Sequence, residues 1–178
     1  MKSNIQPLEE LETWHRTKDP WGYNSNEHDL FRREMLFSEL PEREYKNVLD
    51  IGCGQGFITK QLNVSSVTGI DISQEAIRHA NKNNETNVIF LQGSIFDITK
   101  MFKVKFDLVL ITGVLYQQYI GDSSNLIYLL IDQILEERGH LVTVHINEWN
   151  ICQFPFLKLK EVIYPYRDYN HKLEVYVK

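Results

Sequence analysis

The chain has 178 residues, 43% of them hydrophobic and 24% charged, with five prolines and no low-complexity tract or internal repeat. That is enough for one domain with its own core, and it argues against a disordered or repetitive protein. The net charge is −5 and the 19 basic residues are scattered, which argues against a nucleic-acid partner, because phosphate binding needs concentrated positive surface.

The first forty or so residues read as helical. A short helix over 8–14 leads into the turn-rich "KDPWGYNS", and Ser25 is a plausible N-cap for a helix that runs to Leu40 and stops at Pro41. Leu30, Phe31, Met35, Phe37 and Leu40 give that helix an apolar face. Residues 1–45 are therefore expected to form a helical cap on a core spanning 46–178.

From Asn47 short strands and helices alternate. "NVLDI" is a buried strand, "TKQL" a short helix and "VTGID" a second strand, after which Ser73 caps a helix to about Asn83. "NVIFLQG" is a third strand. "FDLVLIT" is a fourth, and its nearly unbroken apolar run suits a strand covered on both faces. Asp122 is placed to cap a helix over "SSNLIYLLIDQILEER", with Leu126, Leu130 and Ile134 on its apolar side and Gly139 at its end. "HLVTVHI" is a fifth strand. "NICQFPFLKLK" reads as a short helix broken at Pro155 or as a loop, and "EVIYPYR" and "HKLEVYVK" as a hairpin around "DYN" at the sheet edge. The expected fold is α/β: a Rossmann-like, seven-stranded, mostly parallel sheet with helices on both faces and a C-terminal antiparallel hairpin.

"VLDIGCGQGF" follows the first strand with glycines at 52, 54 and 56. A dinucleotide fingerprint needs its third glycine at position 57, which is Phe57, and no Gly-Lys-Ser/Thr makes a phosphate loop. The pattern Asp-x-Gly-x-Gly-x-Gly, with Asp71 ending the second strand in "VTGIDIS", resembles the class I S-adenosylmethionine-dependent methyltransferases. The resemblance implies S-adenosylmethionine as cofactor, with Asp50, Gly52, Gly54 and Gly56 around its methionine end and Asp71 on the ribose. Bare amides of the turn are expected to bind the carboxylate of that methionine. Where the family often carries Gly-Asp for the adenine, this chain has Gly93-Ser94-Ile95, so Ser94 takes the contact in weaker form with help from Asp97. Ile72, Ile95 and Thr112 complete the expected cofactor set.

The N-terminal "DPWGY" and the strands "FDLVLITGVLYQQ" and "RGHLVTVHIN" look like the nodulation-factor N-methyltransferases and their small relatives. That likeness implies a segment that closes over the cofactor through Trp21 and Tyr23; packing of Trp21 on the sheet is the plain alternative. The acceptor belongs over the ends of the fourth and fifth strands, where Tyr116, Tyr119 and Glu148 are candidates for substrate contact or proton acceptance. Packing for Tyr116, a surface place for Tyr119 and a solvated loop charge for Glu148 are the competing readings. His145 reads as a core histidine. No two histidines have ligand spacing, so no metal is expected.

Two cysteines, Cys53 and Cys152, are too few for a disulfide framework. Without a signal-like N-terminus or a stretch near the about 18 apolar residues of a membrane helix, a cytoplasmic protein without membrane insertion is expected. The short chain after Trp149 offers no roof, which suits an open acceptor site for a sugar, a surface-glycan precursor or another polar metabolite, or a neighbouring subunit that completes the wall as in a homodimer. A non-catalytic S-adenosylmethionine-binding module is the rival from another class.

Overall fold

The structure, a computed structural model, describes residues 5–82, 87–150 and 152–178. Two N-terminal helices, α1 (Leu8–His15) and α2 (Glu27–Glu39), precede β1 (Val48–Ile51) and a 3-10 turn (Thr59–Gln61). Then come β2 (Val67–Asp71), α3 (Gln74–Ala80), β3 (Val88–Gln92), α4 (Ile98–Met101), β4 (Phe106–Thr112), α5 (Gln117–Ile120) and α6 (Ser124–Ile134). Three strands finish the chain: β5 (Leu135–Ile146), β6 (Leu157–Tyr166) and β7 (Tyr169–Val177).

The strands form one seven-stranded sheet in the order β3-β2-β1-β4-β5-β7-β6. The first five are parallel and β7 runs antiparallel to β5 and β6. Successive side chains of a strand point to opposite faces, so each strand feeds two cores. Leu49, Ile51 and Val109 join Ile127 and Ile131 of α6 on one side. Val48, Leu108 and Leu110 join Leu36 of α2 and Ile77 of α3 on the other. Strand order reverses between β1 and β4, whose ends lie side by side with Ile51 paired to Ile111. A crevice opens at such a switch point, beyond the carboxyl ends of the strands.

Several boundaries differ from the sequence-based expectation. Asn26, not Ser25, caps α2, its side chain accepting the His28 N–H, while the Ser25 hydroxyl bonds to the Gly22 carbonyl. The residues of α2 that are buried are Asp29, Arg32 and Leu36, and Phe31 stays exposed. The expected α3 end near Asn83 lies outside the described residues. Asp122 does not cap α6; its carboxylate accepts from Gln117 instead. That helix stops at Ile134, because Leu135 pairs with Phe106 of β4 and turns the chain into the sheet. Gly139 therefore lies within β5, and Leu126 is 47% exposed rather than inside. "LKLK" belongs to β6, and the hairpin closes through Arg167 and Asp168, with Tyr166 paired to Tyr169.

Candidate active site

Gly52 leaves β1 at φ +76°, and a Cβ there would lie 2.1 Å from Val114 Cγ2, so both conformation and space require glycine. Gly54 and Gly56 follow at φ +54° and +88°. The turn is stitched to β2: Gly52 and Cys53 donate to the Ile70 carbonyl, and Gly54 donates to Asp71 Oδ2 at 2.9 Å. The Gly56 amide bonds to the Cys53 carbonyl. The expectation of bare amides at these positions is therefore corrected, since each already has a partner inside the chain.

Asp71 also accepts the Ser73 N–H through Oδ1 (2.9 Å), and burial pushes its carboxyl above the ordinary range. It lines a cavity of about 900 Å³ together with Ile72, Ser94 and Ile95. The Ser94 hydroxyl accepts the Phe96 N–H (3.2 Å) and keeps its own hydrogen to donate. Asp97 pairs with Lys100 at 2.9 Å and is not part of the cavity wall, so the expected help at the adenine end is absent.

Beneath the turn, Asp50 is 1% exposed. Its Oδ2 accepts the Thr59 hydroxyl (2.6 Å), its Oδ1 has no partner, and burial raises its pKa to about 6. Across the same cavity stands Arg32, a residue the sequence reading missed, at 7% exposure. Its Nε is 3.3 Å from Asp29 Oδ1, and its guanidinium lies over the Tyr23 and Phe57 rings at 4.9 and 5.7 Å. Among the described residues it donates no hydrogen bond. Asp29 cannot neutralise it alone, because that carboxylate already accepts from Tyr166 Oη (2.8 Å) and Arg167 (2.6 Å). A buried guanidinium without hydrogen bonds and a buried carboxylate oxygen without a partner therefore face one cavity. Each is costly to leave unsatisfied.

The N-terminal segment forms the cover. Trp21 and Tyr23 both line the cavity and stack on each other with centroids 5.5 Å apart. Trp21 also meets His15 at 4.9 Å, and Tyr23 meets Phe57 at 5.4 Å, so the tryptophan packs on the segment's own rings. Between Glu148 and Pro165 no described residue lines the cavity. The wall comes instead from the N-terminal side and from Tyr166 and His171 of the hairpin, which sequence reading missed.

Past the end of β4, Thr112, Gly113, Tyr116 and Tyr119 line the cavity. Tyr116 is buried, its Oη accepts the Ile146 N–H (2.8 Å), and burial pushes its pKa to about 12. His145 is the expected core histidine: its Nε2 accepts the Val114 and Leu115 amides at 3.2 and 3.0 Å, and burial holds its pKa down to about 3. It shapes the loop after β4. His171, stacked on Tyr166 at 3.6 Å, is likewise held neutral by burial, with a pKa of about 3. Glu148 is corrected: it is exposed, accepts from Asn170 Nδ2 (3.2 Å) and does not line the cavity. Pairing of β5 with β7 draws it there, since the Asn147 N–H bonds to the Asn170 carbonyl. Among the described residues no three metal-ligating side chains come together, and no helix is long and apolar enough to cross a membrane.

Comparison with known proteins places the fold and the family. The chain is similar to Nodulation protein S of Azorhizobium caulinodans, 29% identical over 131 residues, covering 70% of this chain and 61% of that protein. It is 22% identical over 143 residues to the Ribosomal protein L11 methyltransferase of Thermotoga petrophila, covering 74% of this chain and 54% of that protein. The chain thus spans little more than half the length of these curated relatives. Its fold matches the crystal structure of the N-methyltransferase NodS from Bradyrhizobium japonicum in complex with S-adenosyl-L-homocysteine, with a TM-score of 0.83 at 21% identity, covering 96% of this chain and 97% of that one. A family model described as a methyltransferase domain matches residues 42–171. By that match over most of its length, this chain belongs to the methyltransferase-domain family.

Proposed function

We propose that the protein transfers a methyl group from S-adenosylmethionine to a nitrogen or oxygen atom of a small polar acceptor, a sugar or surface-glycan precursor. The observation that carries the cofactor half is two buried charged groups lining one cavity with hydrogen-bonding capacity to spare: the Arg32 guanidinium, ion-paired to Asp29 but without a hydrogen bond among the described residues, and Asp50, whose Oδ1 has no partner. An amino acid zwitterion supplies the opposite charge to each, and the cofactor's methionine end is one. Asp71 fits the ribose, because each of its oxygens holds one amide hydrogen and keeps a lone pair for a hydroxyl. Ser94 and Ile95 then meet the adenine. The reading takes the chain as one methyltransferase domain in which residues 1–45 cap the core.

When bound, the cofactor supplies a methyl group already activated on a sulfonium. The chain's own residues hold, orient and shield. Trp21 and Tyr23 cover the cavity and keep water out. Tyr116, with its proton held firmly and one lone pair on the Ile146 amide, donates a hydrogen bond to orient the acceptor, with Tyr119 beside it. Among the described residues, the carboxylates lining the cavity are Asp19, Asp50 and Asp71, none of them in the segment from Thr112 to Tyr119. An amine acceptor must be in its neutral form to take the methyl group and releases the extra proton to solvent as the product leaves; neutral His171, whose Nδ1 has no partner, lines the cavity and can accept a hydrogen bond from it. The tyrosine-rich end offers ring faces and hydroxyl tips, which suits a sugar. The likeness in fold to an N-methyltransferase supports nitrogen as the atom that receives the methyl group.

The test is an S-adenosylhomocysteine-release assay against a panel of amino sugars, nucleotide-linked sugars and unrelated small amines and alcohols. Turnover confined to the sugar arm supports the reading. Turnover confined to the other arm refutes the acceptor class and leaves the transferase.

A further inference from the structure

The glycine turn that floors the cavity is also where its cover is tied down. Gln55, between Gly54 and Gly56, accepts the Asp19 N–H through Oε1 at 2.9 Å. Its Nε2 donates to the Thr17 carbonyl at 2.9 Å and to the His15 carbonyl at 3.4 Å. One side-chain amide thus satisfies a donor and two acceptors in the backbone joining α1 to α2. A carboxylate has no hydrogen for the carbonyls and an ammonium no lone pair for the amide, so the residue type is specific to the task. The tie is passed on. Asp19, at φ +50°, turns its carboxylate onto the Tyr23 N–H (2.7 Å) and the Asn24 N–H (2.9 Å), so that fixing Asp19 fixes the turn that carries Trp21 and Tyr23. Two further ties flank it. Glu12 of α1 accepts from the Ser73 hydroxyl and the Gln74 and Glu75 amides at 2.8 to 3.0 Å, and Arg167 donates to the Trp21 carbonyl at 3.1 Å.

We propose that Gln55 is a positioning residue that couples the floor of the cavity to its cover: its amide holds Trp21 and Tyr23 in place and so sets how long the cofactor and its demethylated product stay bound. The inference rests on the cofactor reading above and adds the residue that governs residence time. If Gln55 served only to brace the turn, its loss would lower stability without changing the accessibility of the segment it ties.

The test uses the full chain, S-adenosylhomocysteine as probe, and the variants Q55A and Q55E. Dissociation is followed by stopped-flow tryptophan fluorescence, and opening of the cover by tryptic cleavage after Arg16 and Lys18, both exposed. Loss of three hydrogen bonds, each of modest net strength, predicts about tenfold faster dissociation for Q55A, with cleavage of the complex faster in parallel. Q55E, which keeps the Asp19 bond but sets a carboxylate against the Thr17 and His15 carbonyls, also dissociates faster than wild type at pH 8 and recovers toward the wild-type rate as the pH falls through about 4.3, because a protonated carboxyl regains one donor. If Q55A fails to fold, Q55E, which keeps the shape and the Asp19 bond, carries the test. Unchanged dissociation and cleavage in the folded variants overturn this inference and leave the cofactor reading standing. A wild type that binds no probe overturns both.

Discussion

Asp71 accepts the Gly54 amide with one carboxylate oxygen and the Ser73 amide with the other, so the acid ending β2 locks the glycine turn after β1 and the entry to α3 at once. Holding the turn and the proposed reception of a diol are separable by substitution. Asp71→Asn keeps one acceptor oxygen and the shape, whereas Asp71→Ala leaves two amides without partners. Asp71→Ala is expected to lower S-adenosylhomocysteine affinity at least about tenfold and to cost about 1–3 kcal/mol of stability; Asp71→Asn loses affinity with a smaller loss of stability. Calorimetric titration beside denaturant unfolding checks both.

The proposed function sets the amino acid end of the cofactor against the Arg32 guanidinium. Arg32→Met, which keeps much of the apolar stem, is expected to weaken S-adenosylhomocysteine about tenfold or more, since hydrogen bonds to charged groups contribute about 1.5–3 kcal/mol. 5′-Methylthioadenosine lacks the amino acid end and should bind wild type and variant alike. Equal losses for both ligands would place Arg32 in the packing of Tyr23 and Phe57 instead.

Burial raises the pKa of Asp50 to about 6, from an ordinary value of 3.8. The folded state therefore holds this proton more tightly than the unfolded one, and the contribution is present at low pH and lost as the pH rises through 6. Its full size is about 3 kcal/mol. His145 and His171, neutral in the fold down to a pH of about 3, act in the opposite sense and lose stability as the pH falls below 6.5. The comparison that isolates Asp50 is wild type against Asp50→Asn. Wild type should lose stability relative to the variant between pH 4 and 7, measured as the difference in unfolding free energy at each pH.

His145 supports the loop after β4 by accepting two amides with one nitrogen. His145→Ala opens a cavity and leaves Val114 and Leu115 without that acceptor, for an expected loss of about 2–4 kcal/mol in urea unfolding. His145→Gln, which restores an acceptor oxygen, should recover part of it.

The strands were legible because β1, β4 and β5 are covered on both faces and so must read as apolar runs, and the glycines because positive φ and the closeness of Val114 leave no alternative at Gly52. Asp71 was legible from its place after the second such run. Arg32 was not, because a charged residue on an amphipathic helix looks solvated until its neighbours Asp29, Tyr166 and Arg167 are known, and the last two come from a hairpin over 130 residues away. Tyr166 and His171 were hidden for the same reason: only the β6–β7 pairing brings them to the cavity. The end of α6 was misjudged since "ILEER" carries helical periodicity, and only the Leu135 to Phe106 pairing overrides it. Glu148 sits where a substrate contact was expected, and the Asn147 to Asn170 bond turns it aside.

The most direct test of the account is calorimetric titration of the full chain with S-adenosylhomocysteine, repeated on Arg32→Met and Asp71→Ala. The account predicts one saturable site in the wild type, weakened by each substitution. A wild type that takes up no ligand, or one whose binding is indifferent to both changes, would contradict it.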